Sequence, residues 1–338
     1  MTLRYSFIIP IYNAETTLTQ CVNSLLDQIR DSELLLINDG STDGSAALCD
    51  ALAAQHPSIR VFHTPNGGVS KARNLGIAQA KGERVIFFDA DDYWISNSFE
   101  ALDQYIQGFP TTDAVLFDYM VLDVLNGQMT DLDSDRGMRL DQPIDGKTFL
   151  DLALKQDPHF RVSACRWAVR REFIIENDLW FKEDLYFEDM LWVFQVILAA
   201  QSILYHPYPV YVYRQNQITS ITGSLNAKKI QDRIWISGYW LNHPLAILTD
   251  PVVRSRFLRR TSELAFTSLI RYQSICTPSQ AKSVLTSLKE NKAFLKYPNS
   301  RMHTLLAKAC LVFGISLTGS IYGCMFKIKN GMRRLIRL

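Results

Sequence analysis

In the stretch VIFFDADDYW (residues 85–94), four apolar residues run directly into three carboxylates, Asp89, Asp91 and Asp92, and then into two aromatics. Acids so closely spaced at the end of a buried strand repel one another and resist desolvation, so a positive partner, a metal ion or a cationic side chain, is expected among them. A second acidic pair, Glu188 and Asp189, stands immediately before MLWVFQVILAA, a run apolar on nearly every face that reads as a buried helix. Two readings of that pair stay open on residue types alone: Asp189 caps the helix and answers its dipole, or it is a base.

The first half of the chain alternates strand and helix signals, the pattern of βαβ units with a mainly parallel sheet. YSFIIPIY, ELLLIND, IRVFHTP and ERVIFFD read as strands, and TTLTQCVNSLLDQ, TDGSAALCDALAAQ and GVSKARNLGIAQA as the helices between them. The acids then sit at the C-terminal end of the fourth strand, the edge at which open α/β sheets bind ligands. Three more polar clusters share that edge: Pro10, Tyr12, Asn13 and Glu15; Asp39, Gly40, Ser41 and Asp43; Asn66, Gly67, Gly68, Lys71 and Arg73. Each alone is also good turn or cap chemistry, but four converging polar loops suggest a site.

Composition narrows the class. With 338 residues, 47% hydrophobic and 21% charged, the chain can bury one large core or two modest ones and is no disordered tail. A net charge of +2 and the lack of an aromatic-and-basic signature argue against a nucleic-acid partner. Six cysteines are spread singly, so neither a zinc site nor a disulfide framework is indicated, which fits a reducing compartment. The N-terminal MTLRYSFIIPIYNAE lacks the apolar stretch and cleavage site of a signal peptide, and a cytosolic location is expected. No G-x-G-x-x-G follows the first strand and no G-x-x-x-x-G-K-[ST] occurs, so a dinucleotide site and a P-loop are both unsupported.

Four motifs in order, IIPIYNAE, INDGSTDGS, NGGVSKARN and FFDADD, resemble the nucleotide-sugar-binding half of family 2 glycosyltransferases with the GT-A fold. The resemblance implies a role for each. Pro10 and Tyr12 line the base pocket with Glu15 beside them, Asp39 accepts a hydrogen bond from uracil, and Asn66 and Arg73 face the nucleotide. Asp89 and Asp91 match the D-x-D pair, Asp91 as the ligand of a divalent cation and Asp89 near both ribose and metal, with Asp92 orienting them from behind. A hard cation, Mn²⁺ or Mg²⁺, would neutralise the departing diphosphate. In inverting members an ED pair carries the base, which favours Asp189 for that task with Glu188 at its side; the helix dipole is expected to keep Asp189 ionised. Arg214 and Ser220, in YVYRQNQITSIT, match positions that close over the diphosphate. RVSACRWAVRREF departs from the family pattern, and the polar stretch from Asp123 to Asp141 reads as an exposed hairpin or loop.

The expected organisation is a GT-A domain over residues 1–223 and a helical region over 224–338. In the latter, ACLVFGISLTGSIYGCMF (309–326) has no charge and is followed by Lys327, Lys329, Arg333, Arg334 and Arg337 without an acid. That combination suits an anionic membrane surface, against the alternative of a helical hairpin packed on the protein. The expectation is therefore an inverting, metal-dependent transferase using a UDP-sugar, acting on a lipid-linked cell-surface glycan at the cytoplasmic face of the inner membrane. A nucleotidylyltransferase and a non-catalytic nucleotide- or carbohydrate-binding protein are the alternatives. The first lacks its Gly-rich N-terminal loop, and the second has no need of Asp91 and Asp189.

Overall fold

The computed structural model describes residues 3–131, 138–216, 225–243, 248 and 250–336. Its N-terminal part follows the alternation in the sequence: β1 (Tyr5–Ile11), α1 (Leu18–Leu26), β2 (Ser32–Asp39), α2 (Ser45–Gln55), β3 (Ile59–Thr64), α3 (Val69–Gln79) and β4 (Arg84–Phe87). These four strands pair in parallel in the order β3-β2-β1-β4. All eight residues of β2 are buried, as a parallel strand covered on both faces requires. The strand order reverses beside β1, so the C-terminal ends of β1 and β4 open the crevice that such sheets use for ligands.

The chain continues through β5 (Tyr93–Trp94), α4 (Phe99–Gln107), β6 (Ala114–Asp123), β7 (Gln128–Asp131), α5 (Gly146–Gln156), β8 (Trp167–Arg170), α6 (Arg171–Glu176), α7 (Asp189–Ala199) and β9 (Ile203–Gln215). β8 runs antiparallel between β4 and β6, and β9 lies parallel to β6, extending the described sheet to nine strands. β6 and β7 form a hairpin that turns at Gly127 (φ 70°), within the stretch read as an exposed hairpin.

The chain divides into two compact units, Met1–Asp157 with Arg161–Ser220, and Pro158–Phe160 with Ile221–Leu338. The boundary expected at 223/224 falls outside the described residues. The second unit is helical: α8 (Ala227–Asn242), α9 (Pro251–Ile275), α10 (Pro278–Glu290) and α11 (Arg301–Ile336). Its helix starts follow local chemistry. Asn226 caps α8; Asp250 caps α9, with Pro251 in its first turn; Thr277 and Gln280 form a reciprocal capping box on α10. α11 is two helical segments broken at Gly314, whose φ of 79° only glycine adopts easily. Ile230, Ile234, Phe266, Leu269, Val284 and Leu306 anchor this unit's own core.

One buried histidine sets an acid limit on stability. His206 of β9 is 4% exposed between the rings of Tyr105 and Tyr208, and its Nε2 has no partner. Burial pushes its pKa down to about 4. The folded state therefore binds fewer protons than the unfolded chain below the usual histidine value, so this contribution is intact above about pH 6.5 and shrinks as pH falls towards the folded pKa. Between pH 7.5 and 5 the loss is on the order of 2 kcal/mol. Urea unfolding at the two pH values is expected to show a smaller drop in His206→Phe than in wild type; equal drops would rule out His206 as the source.

Candidate active site

The loops after β1 and β2 are laced together at the sheet's C-terminal edge. Asn13, held at φ 52°, accepts from the Thr42 N–H (2.8 Å) and hydroxyl (3.2 Å), and its own N–H donates to Ser41 Oγ (3.1 Å). Glu15 Oε2 accepts from the Gly44 N–H (3.0 Å), which ties the loop after β1 to the start of α2. Tyr12 is 47% exposed above this lattice and Pro10 is half-buried in β1.

Asp39, at the end of β2, is 4% exposed, and its two oxygens accept from the N–H groups of Gly67 and Gly68, each at 2.7 Å. The carboxylate thus hooks the β3–α3 loop to the end of β2; Oδ1 also accepts from the Thr64 hydroxyl (3.5 Å), and Oδ2 keeps a lone pair for a further donor. Two glycines make the approach possible. Gly40 has φ 68°, and a Cβ there would stand 2.6 Å from the Asn66 nitrogen; Gly68 has φ 87°. Asp39, Thr64, Asn66, Gly67, Lys71 and Glu183 line an open cavity of about 440 Å³, with Asn66 exposed at its edge.

The carboxylates meet at Arg73. Its side chain, 3% exposed on α3, donates through Nη1 to Glu188 (2.7 Å) and Asp189 (2.8 Å) and through Nη2 to Asp89 (3.2 Å). Asp89 thus has a cationic side-chain partner, an arginine from a neighbouring motif, and that arginine also holds the acidic pair 115 and 116 residues away. Phe181 and Phe87 lie 5.1 and 5.8 Å from the guanidinium, and Phe181 stacks on Trp192 of α7. Asn74, one residue beyond Arg73, fixes Phe181 by donating to its carbonyl (2.9 Å) and accepting from its N–H (2.8 Å). Burial works against the charge on Arg73, but Asp189, Glu188 and Asp89 outweigh it and hold its pKa well above the ordinary value. Removing a buried charge from such a cluster leaves its partners uncompensated, so the arginine is a structural keystone of this edge.

Glu188 and Asp189 do not cap α7. Glu188 occupies the cap position but its side chain makes no cap hydrogen bond, and both acids turn to Arg73 instead. Phe187, immediately before them, has φ 63°, a costly conformation for an aromatic residue, at the corner where the chain enters the helix. The pKa of Asp189 lies above the ordinary aspartate value. Burial raises it; Arg73 and the Ala164 N–H act in the opposite direction, and Asp89 adds to the rise. Glu188 is pushed up to about 7 by burial and then by the charge of Asp189. A carboxylate with a raised pKa is a stronger proton acceptor, and the Asp189 side chain is 22% exposed, open to a substrate hydroxyl.

Asp91 is pushed up to about 6 by burial and then by the charge of Asp89. Asp92, 1% exposed, accepts from the Arg214 N–H (2.7 Å) and the Tyr211 hydroxyl, pinning the end of β9 to the D-x-D turn. The Arg214 side chain lies over the Tyr93 ring and donates to Gln20. Ser220 lies outside the described residues. Among the described residues no group of three or more His, Cys, Asp or Glu is arranged to hold a metal by itself. Asp89 and Asp91 nevertheless offer hard oxygen donors, and a cation there would relieve the burial and repulsion that raise Asp91. Spacing in the sequence does not point to Asn74, Phe181 or Tyr211, because the first looks like ordinary helix polarity and the others like core aromatics.

A four-stranded parallel half-sheet, a D-x-D turn at its switch point and an ED pair brought to the same edge define the GT-A class. The family model for glycosyl transferase family 2 matches residues 6–178, more than half of the chain, and the chain belongs to that family. EpsJ of Bacillus subtilis, an uncharacterized glycosyltransferase, is 31% identical over 220 residues, 62% of this chain and 61% of that relative's length. The glycosyltransferase GlyG of Streptococcus pneumoniae serotype 4 is 25% identical over 291 residues, 84% of this chain and 94% of GlyG. Among solved structures, S. aureus TarS 1–349 in complex with UDP-GlcNAc superimposes with a TM-score of 0.73 at 17% identity, over 96% of this chain and 92% of that one.

Proposed function

We propose that this glycosyltransferase moves a sugar from a UDP-sugar to a hydroxyl of a growing, lipid-linked cell-surface glycan, with inversion and with a divalent cation. The observation that carries the proposal is the triple contact of Arg73, which sets a partly buried carboxylate, Asp189, beside the D-x-D turn. Asp189 takes the proton of the acceptor hydroxyl as that oxygen forms its bond to the anomeric carbon, and the bond to the diphosphate breaks on the opposite face. Arg73 and Glu188 position Asp189. Asp91, with Asp89 beside it, would hold Mn²⁺ or Mg²⁺, whose charge offsets that of the leaving diphosphate. Support for uridine comes from the TarS complexes, which contain UDP-GlcNAc or UDP, and from Asp39 at the cavity edge. The glycan acceptor and a peripheral place on the cytoplasmic face of the inner membrane rest on the sequence resemblance and the basic C-terminus.

Incubation with a panel of UDP-sugars and Mn²⁺ is expected to release UDP, fastest with one donor. Pyrophosphate-dependent nucleotide turnover without UDP release would replace this reading with a nucleotidylyltransferase. Asp39→Asn is expected to weaken UDP binding about tenfold, because the amide can accept from only one of the two glycine N–H groups and presents a donor to the other. Calorimetric titration with UDP checks this; an unchanged Kd would remove Asp39 from the donor site.

A further inference from the structure

We infer that α11 docks in the plane of an anionic lipid surface, inserting one face shallowly and not crossing the bilayer. The inference rests on the membrane-peripheral reading above and deepens it by naming the element, the face and the depth. By length and composition alone, Arg301–Gly323 could cross a membrane. Its burial says otherwise. Leu306 is fully buried, and His303, Ala307, Cys310, Ile315 and Thr318 are each at most 8% exposed, most of them within the helical unit's own core. A spanning helix would have to withdraw all of these, exposing the Phe266 and Leu269 surface they cover.

The opposite face is apolar and uncovered. Leu305 is 61% exposed, Leu311 79%, Val312 72%, Phe313 60% and Leu317 50%. Neighbours on an α-helix point about 100° apart, so three consecutive exposed residues, 311 to 313, mean that this turn projects beyond the packed surface. The projection ends at the Gly314 break, where a side chain would meet nothing within 4 Å. A convex apolar knuckle suits the acyl boundary of a bilayer, into which an interfacial helix sinks its apolar face.

Charge identifies the kind of surface. From Asn291 to Leu338 there are nine lysines and arginines and no acid, whereas the preceding residues carry 27 basic and 34 acidic side chains. A strongly positive segment on a net negative body orients towards anionic headgroups and is repelled elsewhere. Lys308, exposed between Leu305 and Val312, can extend its ammonium to the headgroups while its stem follows the apolar face.

The full chain should float with vesicles of phosphatidylcholine and phosphatidylglycerol at low salt, and markedly less with phosphatidylcholine alone or in high salt. The triple variant Leu311→Ser, Val312→Ser, Phe313→Ser, whose sites are exposed and leave the core intact, should lose at least about tenfold in partitioning at an unchanged melting temperature. In a Phe313→Trp variant, emission should shift to the blue on anionic vesicles and be quenched best by lipids brominated near the carbonyls. Quenching strongest at the bilayer centre would mean that the helix spans. A wild-type dimer in solution that becomes monomeric in the triple variant, without flotation, would assign this face to a second copy. Neither assay reads turnover, so failure here is distinct from failure of the transferase reading.

Discussion

Asp189→Asn is expected to abolish sugar transfer, by about three orders of magnitude in kcat, while UDP affinity stays near wild type. The amide cannot take the acceptor proton but can still accept from Arg73, so the keystone contacts of Arg73 to Glu188 and Asp89 persist. Asp189 makes no cap hydrogen bond to α7, and the variant removes a charge whose pKa burial has already raised, so the stability change should be small. Steady-state transfer, UDP titration and a thermal melt on one preparation separate the outcomes. Normal transfer would overturn the base assignment, and loss accompanied by unfolding would make Asp189 a structural partner of Arg73. Hydrolysis of donor by water should also fall, since water needs the same base.

The second large effect concerns the cation. Asp91→Asn should lower kcat by at least about two orders of magnitude, the scale of losing one major electrostatic stabiliser of a developing charge. EDTA on the wild-type protein should reproduce the loss and Mn²⁺ should restore it, whereas the variant should need higher Mn²⁺ and recover only in part. Asp91 is raised to about 6 because burial and Asp89 disfavour its charge, so neutralising it should leave the fold as stable as before or slightly more so. Full activity after EDTA would eliminate the metal, while EDTA sensitivity with a fully active Asp91→Asn would move the ligand role to another oxygen.

The strands, the helices and the edge that carries the acids could be read directly. Apolar runs bounded by turn residues locate β1 to β4, and their alternation with helix periodicity demands parallel crossovers. The cap residues of TDGSAALCDALAAQ mark the start of α2, where the Asp43 side chain accepts from the Ser45 N–H. The rise in the pKa of Asp189 could not be read there, because it comes from burial and from Asp89, which only packing brings near.

By itself, then, the sequence determined what is local: element type from hydrophobic period, helix starts from caps, the acidic turn after β4, and the acid-free C-terminus. Tertiary structure alone decided which distant groups share a space. Arg73 meets Asp189 across 116 residues, Phe181 is placed over it by Asn74 across 107, and Asp92 reaches the Arg214 backbone across 122. It also decided which face of residues 301–323 is core and which is bare. Period and caps arise from relations two to four positions apart, which any reading of the chain can enumerate. Convergence depends on strand order, crossover and the desolvation of charges that burial brings together, and these are properties of the packed molecule.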